Sequence, residues 1–233
     1  MTQTSDLAIV CDFDGTATLL DIGDEISKHF GGAQHWEAES ARFRSGELTT
    51  RGIIGAIYAK VLAGEPEVRA FAVQAARLRP GFGELIAAAR DRKAPFFLAS
   101  GGLRQYIDAV LEAHLEPSLR AWVRVRANEA VFGPRGLEVS FPGEAASLAT
   151  GCEICGSCKR VPVAEARAEG ARTVIGIGDG FADRCLVQFA DRAFAREGSF
   201  LERYCREHAL AYTPFTDLFG VAKAVRELGT TSA

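Results

Sequence analysis

Leu7-Ala-Ile-Val-Cys11-Asp12-Phe-Asp14-Gly15-Thr16-Ala-Thr18 runs an unbroken apolar stretch into a pair of carboxylates. Five apolar residues cut off this sharply predict a strand buried on both faces, as in a parallel sheet. Two later segments have the same shape. Pro95-Phe-Phe-Leu-Ala99 stops at Ser100-Gly101-Gly102, and Thr173-Val-Ile-Gly-Ile177 stops at Gly178-Asp179-Gly180. Each is followed by glycine and then a helix-like pattern. Open α/β sheets bind ligands at the carboxyl ends of their strands. Asp12, Ser100 and Asp179 are therefore expected to converge, although they lie far apart in sequence.

Two carboxylates two residues apart share one face at the end of a strand. Asp12 can attack as a nucleophile. Asp14 can protonate a leaving group and later take a proton from water. Gly15 permits the tight turn behind them. Asp-x-Asp alone also fits a plain helix cap, but the Gly-Thr that follows and the strand in front favour a site. Gly178-Asp179-Gly180-Phe-Ala-Asp183 is a second acidic site. Four carboxylates in one cleft, Asp12, Asp14, Asp179 and Asp183, require a counter-charge. Mg2+ with oxygen ligands supplies it, and Lys159 adds one more positive charge. Ser100-Gly101-Gly102 offers a hydroxyl and free amides at an expected helix start, which suits a phosphate or a simple N-cap. Together these pieces describe phosphoryl transfer. Asp12 attacks phosphorus, Lys159, Ser100 and the Gly101 amide hold the equatorial oxygens, and Asp14 serves the leaving group.

Outward from these motifs, residues 19–78 show almost purely helical patterning, longer than a strand-to-helix connection needs. The expected architecture is α/β: a doubly wound, Rossmann-like, mainly parallel sheet with an inserted small helical cap. Residues 1–18 and 79–233 would form the core and 19–78 the cap. The length of 233 residues fits one to two domains at ~150 residues each, and 48% hydrophobic with 24% charged residues is ordinary globular composition. A net charge of −3 speaks against a nucleic-acid partner. No apolar run approaches the ~18 residues of a membrane span. The polar start and the short apolar run behind it are unlike a secretory leader, so a cytoplasmic protein is expected. Oligomeric state is not legible.

Taken in order, Asp12-x-Asp14-Gly-Thr, Ser100, Lys159 and Gly-Asp179-Gly-x-x-Asp183 resemble the haloacid dehalogenase-like hydrolase superfamily, over most of the chain. The resemblance implies that Asp12 is the nucleophile and Asp14 the general acid/base. It implies Mg2+ held by Asp12, the Asp14 carbonyl and Asp179, with Asp183 in support. The insertion looks like the cap of the phosphoserine-phosphatase-like branch. Cys155-Gly-Ser-Cys158-Lys159, Ala193-Phe-Ala-Arg196 and Tyr204-Cys-Arg-Glu207 are similar to phosphatases of methionine salvage, which implies 2-hydroxy-3-keto-5-methylthiopentenyl-1-phosphate as substrate. The cysteines before the lysine also resemble phosphoethanolamine/phosphocholine phosphatases. Phosphoserine phosphatases carry Glu where Asp21 stands, and for their cap arginine Arg51 is only an approximate counterpart. The small phosphorylated metabolite is thus the methylthio enol-phosphate first, then phosphoserine or a phospho-amino-alcohol. A dehalogenase would not need Asp14, because a halide leaves without a proton. A non-enzymatic metal-binding regulator is the reading from another class.

Cys152-x-x-Cys155-x-x-Cys158 sets three thiols within seven residues. They are candidates for structural Zn2+, with Cys205, a histidine or water as fourth ligand, or for free or redox-sensitive thiols packing a loop. Cys11 and Cys185 are expected in the core. Trp36, Phe43 and Tyr58 are expected to pack the cap's interior, the alternative being a pocket lining.

Overall fold

The structure, a computed structural model, describes residues 5–228. The first four residues and the last five of the core segments expected above lie outside the described residues. Among the described residues seven strands form one sheet: β1 (Leu7–Cys11), β2 (Phe96–Leu103), β3 (Val123–Gly133), β4 (Gly136–Ser140), β5 (Thr173–Gly178), β6 (Arg192–Arg196) and β7 (Thr213–Phe215). Their order is β4-β3-β2-β1-β5-β6-β7. Every neighbouring pair is parallel except the β3–β4 hairpin. The sheet is therefore doubly wound, as the apolar runs predict, and β1 is its central strand.

Alternation along β1 divides the core. Leu7, Ile9 and Cys11 face one apolar cluster, and Ala8 and Val10 face another. Period-two geometry makes both faces buried, so neither can be polar. The first face is covered by α5 (Phe82–Asp91), α6 (Arg104–His114) and α12 (Phe219–Glu227). The second is covered by α9 (Arg160–Ala168) and α10 (Arg184–Phe189).

Between β1 and β2 come α1 (Ile22–Ile26), α2 (Ala33–Arg44), α3 (Thr50–Tyr58) and α4 (Glu65–Ala75). The chain enters and leaves this insertion at one place. Leu19 N donates to Arg77 O at 2.9 Å, Arg79 N donates to Ala17 O at 2.8 Å, and Thr18 bridges Leu78. Arg79 fixes that neck. It is buried and donates to the carbonyls of Thr16 (2.7 Å), Gly15 (2.6 Å), Thr18 (3.2 Å) and Thr216 (3.0 Å). Ile22, Ile26, Tyr58, Val68 and Ala72 join the apolar cluster of the sheet face, whereas α2 buries no residue. The remaining helices are α7 (Pro117–Arg120), α8 (Glu144–Ala149) and α11 (Phe200–Glu207).

One expected boundary differs. Ser100, Gly101 and Gly102 do not open a helix; they belong to β2, and α6 starts at Arg104. The β2–β3 register shifts between Ala99 and Leu103. Asn128 spans the irregularity by donating from Nδ2 to Gly101 O at 2.7 Å, so the strand continues instead of turning. No helix among the described residues is long and apolar enough to cross a membrane.

Candidate active site

The carboxyl ends of β1, β2 and β5 bring the motif residues together. Behind β1 the chain turns tightly through Gly15, at φ 76°. A Cβ there would lie 2.7 Å from Asp179 Oδ2, so only glycine lets this turn approach β5. Asp12, Asp179 and Asp183 place carboxylate oxygens within 4.8 Å of one another. Lys159, 3% exposed, donates to both Asp12 and Asp183. Asp179 accepts from the Thr16 hydroxyl at 2.7 Å and from Arg196 Nη2 at 3.0 Å. Asp183 Oδ2 accepts from the amides of Asp179 and Gly180 at 2.9 and 2.8 Å, which shapes the glycine loop.

Three carboxylates thus face two cations, Lys159 and Arg196. Burial, and then the charge of Asp183, push the Asp12 pKa well above the ordinary carboxylate value, against the pull of Lys159. Burial works against the Lys159 charge, but Asp12 and Asp183 more than offset it and raise the pKa of the ammonium. A hard, all-oxygen donor set with an uncompensated charge fits Mg2+. Asp12, Asp179 and Asp183 present that set.

The carboxylate of Asp14 does not join it. Its Oδ2 accepts from Tyr106 at 2.7 Å and Ser100 at 3.1 Å, and its Oδ1 accepts from the Ile22 amide at 3.0 Å. The expected cluster of four acids is therefore three plus one. Burial raises Asp14 to about pKa 6, although these three hydrogen bonds favour the charged form. Ser100 is held in turn by the Gly102 amide, which donates to its Oγ at 2.8 Å. A Cβ on Gly102 would overlap the Tyr106 hydroxyl, so this glycine makes room for the Tyr106–Asp14 bond.

Above these groups lies a cavity of about 360 Å³ that reaches Asp12, Asp14, Ser100, Gly101 and Lys159. Its upper wall is apolar: Trp36, Phe43, Ile53, Ile54 and Ile57, facing Phe181. Phe43 and Phe181 meet edge to face at 5.0 Å and close the cavity from both sides. Phe43 thus lines the pocket, whereas Trp36 and Tyr58 both line it and pack against the apolar cluster. Asp21 caps α1, accepting from the Asp24 amide at 2.8 Å, and lies in the wall beside Asp24.

Arg51 is elsewhere. Its side chain pairs with Glu144 and lies over the Phe141 ring at 5.1 Å, and its amide donates to Ile154 O at 2.9 Å. It fastens α3 to the cysteine loop and is not among the residues lining the cavity, because the N-terminus of α3 faces that loop. Arg44 does line the cavity. Sequence reasoning missed Tyr106, Arg44 and Asn128, which carry no local signal. Arg196 was visible only within the Ala193–Arg196 resemblance.

The three loop thiols are buried, with sulfurs within 4.8 Å of one another. Cys185 packs against them instead of entering the core, since α10 begins beside the loop. Cys205 packs with Val187, Ala193 and Leu201, so it cannot be a fourth ligand.

The fold and the convergence of these residues define a hydrolase built around a buried aspartate. The family model of haloacid dehalogenase-like hydrolases matches residues 9–188, and the chain belongs to this family. A 2-hydroxy-3-keto-5-methylthiopentenyl-1-phosphate phosphatase of Geobacillus kaustophilus is 29% identical, covering 97% of this chain and 98% of that protein. A bifunctional enzyme MtnB/MtnX of Bacillus licheniformis is 30% identical over 94% of this chain, which spans 49% of that longer protein. A phosphoserine phosphatase solved as a phospho-aspartyl intermediate analogue superimposes with TM-score 0.67 at 18% identity, covering 95% of this chain and 99% of that one. The sequence relatives carry phosphatase names, and the solved structure shares the fold.

Proposed function

We propose that this enzyme is a Mg2+-dependent phosphomonoesterase that works through an aspartyl-phosphate on Asp12. Its first substrate is 2-hydroxy-3-keto-5-methylthiopentenyl-1-phosphate. The observation that carries the reading is an apolar cavity opening directly onto Asp12. A phosphate on the floor would leave a methylthioalkyl chain among Trp36, Phe43, Ile54 and Phe181.

In this reading an Asp12 carboxylate oxygen attacks phosphorus and the ester oxygen leaves. Asp14, neutral below about pH 6, gives that oxygen its proton. It then takes a proton from the water that splits the acyl phosphate and restores Asp12. Lys159, Ser100 and the Gly101 amide hold the non-bridging oxygens. Mg2+, held by Asp12, the Asp14 carbonyl and Asp179 with Asp183 in support, would offset the charge of the phosphoryl group. Residues 19–78 act as the cap, with the Arg79 neck as its base. The apolar continuity of α1, α4 and the C-terminal end of α3 with the sheet face confines any opening to α2, which would admit substrate and then exclude water.

A second reading rests on Asp21 and Asp24. These carboxylates in the cavity wall suit an ammonium group, and Arg44 suits a carboxylate. Phosphoserine and phosphoethanolamine are therefore the competing substrates.

The test is phosphate release from the methylthio enol-phosphate generated in situ, phosphoserine, phosphoethanolamine and phosphocholine. Each is run with Mg2+, with chelator, and with Asp12→Asn. Metal-dependent release that disappears in Asp12→Asn supports the phosphatase, and the preferred ester decides between the two readings. Absence of release from every ester would contradict both.

A further inference from the structure

The cysteine loop is not used by the chemistry proposed above, yet it is built with care. All six cysteines are free thiols. Cys152, Cys155 and Cys158 are 4%, 8% and 3% exposed, on a segment that is neither helix nor strand. Cys185, the second residue of α10, comes from a different part of the chain. It packs against the trio.

The backbone favours negative charge at Cys152, where the amides of Ile154 and Cys155 lower the thiol pKa against burial, while the Cys155 thiol beside Cys158 pushes that group up to about 11. Amides aimed at the first sulfur of a Cys-x-x-Cys turn stabilise a thiolate more than a thiol. The Arg160 guanidinium lies against Cys185. Its Nε is buried without a hydrogen-bond partner, and it stacks on Phe189 at 4.4 Å. The half-buried guanidinium also donates from Nη1 to Thr150 O at 3.2 Å, and its positive charge suits a metal bound by four thiolates, which carries a net negative charge.

We infer that Cys152, Cys155, Cys158 and Cys185 form a tetrahedral site for one Zn2+ ion. Zn–S bonds of ~2.3 Å give tetrahedral edges of about 3.8 Å. The three loop sulfurs already lie within 4.8 Å of one another, and Cys185, which packs against them, would close on the trio as the fourth ligand. Such close packing encloses a single ion and has no room for a cube of four irons and four sulfides. Four thiolates from a loop and a helix start also form a closed site, with no position left for substrate.

The ion would serve the active site by position. Cys158 directly precedes Lys159, and Cys185 lies two residues after Asp183. One ion would tie together the two segments whose side chains meet at Asp12. Ile154, inside the loop, accepts the Arg51 amide, so the same knot anchors the helical insertion.

The experiment is metal analysis of the full chain purified without chelator. It should show one zinc per chain, released when an organomercurial titrates the thiols. Replacing zinc with Co2+ should give the intense thiolate-to-cobalt and visible bands of a tetrahedral tetrathiolate site. Cys185→Ser should weaken Zn2+ affinity by more than ~10-fold and lower the thiolate-to-cobalt intensity. Cys205→Ser should change neither. Three results would overturn the inference. One is protein that holds no zinc and takes up no Co2+, whether its thiols are free or joined in a disulfide. Another is iron with sulfide. The third is a Cys185→Ser variant with unchanged affinity and spectrum. None of these readouts depends on phosphatase activity.

Discussion

β1, through Asp12 just beyond its end, and α2, through its own side chains, reach the same cavity, and they are built on opposite plans. Every residue of β1 is buried, and it delivers Asp12 into a network of charged hydrogen bonds. α2 buries none of its twelve residues and contributes Trp36, Phe43 and Arg44 to the cavity wall. The floor is over-determined. Lys159, Thr16, Arg196 and two loop amides each fix a carboxylate, so a shift in one disturbs several. The roof is held by an aromatic contact, exposed ion pairs and a neck. Phosphoryl chemistry demands sub-ångström placement of charge. Apolar substrate recognition tolerates looser packing and is easily altered.

Removing Asp12, the nucleophile in the proposed mechanism, tests the floor most severely. Asp12→Asn should cost on the order of 10⁴-fold or more in kcat, with the fold retained by circular dichroism. Lys159→Ala comes next, because it strands Asp12 and Asp183 without their shared cation. The expected loss is about 3–5 kcal/mol of stability, measured by urea unfolding in chelator. Added Mg2+ should restore part of it, since a cation would again stand among the carboxylates.

Asp14 gives a smaller effect with a definite sign. The unfolded chain releases this proton near the ordinary carboxylate value of 3.8, and the folded chain releases it at about 6. Between those values the folded state binds more protons, so stability falls as pH rises. The contribution is complete below the unfolded value and lost above the folded one. Asp14→Asn should therefore raise stability at pH 7 to 8 by roughly 1–3 kcal/mol, and the gain should shrink towards zero near pH 4. Thermal melts across that range would check it, and a gain independent of pH would contradict it. The smallest effect belongs to the roof's edge. Arg51→Ala removes an exposed pair and should cost less than ~1 kcal/mol, with kcat/KM changed by less than about threefold. A large rise in KM would make Arg51 a substrate ligand after all.

The same contrast decides what could be read from the sequence. β1, β2 and β5 are apolar runs ended by acid or glycine, and that pattern depends on local burial alone. Asp12, Ser100 and Asp179 could be named because strand ends in a doubly wound sheet must meet, whereas Asp183 came with the glycine-flanked acidic motif and Lys159 as the counter-charge the acids need. The start of α6 was misplaced because a side chain from β3, Asn128, keeps Gly101 in the strand. Cys185 was read as a core thiol because its neighbours in sequence are apolar, while its neighbours in space are three other thiols. Arg51 and Arg44 differ by seven positions and by a turn between helices, and only packing decides which one faces the cavity. Phe43 pointed at a pocket because Phe181, far along the chain, stands opposite.

The division between floor and roof is tested most directly by kcat/KM for the methylthio enol-phosphate against acetyl phosphate, in the unaltered enzyme and in Phe43→Ala. Acetyl phosphate is too small to reach the apolar wall. The account predicts that Phe43→Ala lowers kcat/KM for the enol-phosphate by ~10–100-fold. Acetyl phosphate turnover should stay nearly unchanged. Equal losses on both substrates, or no loss on either, would contradict it.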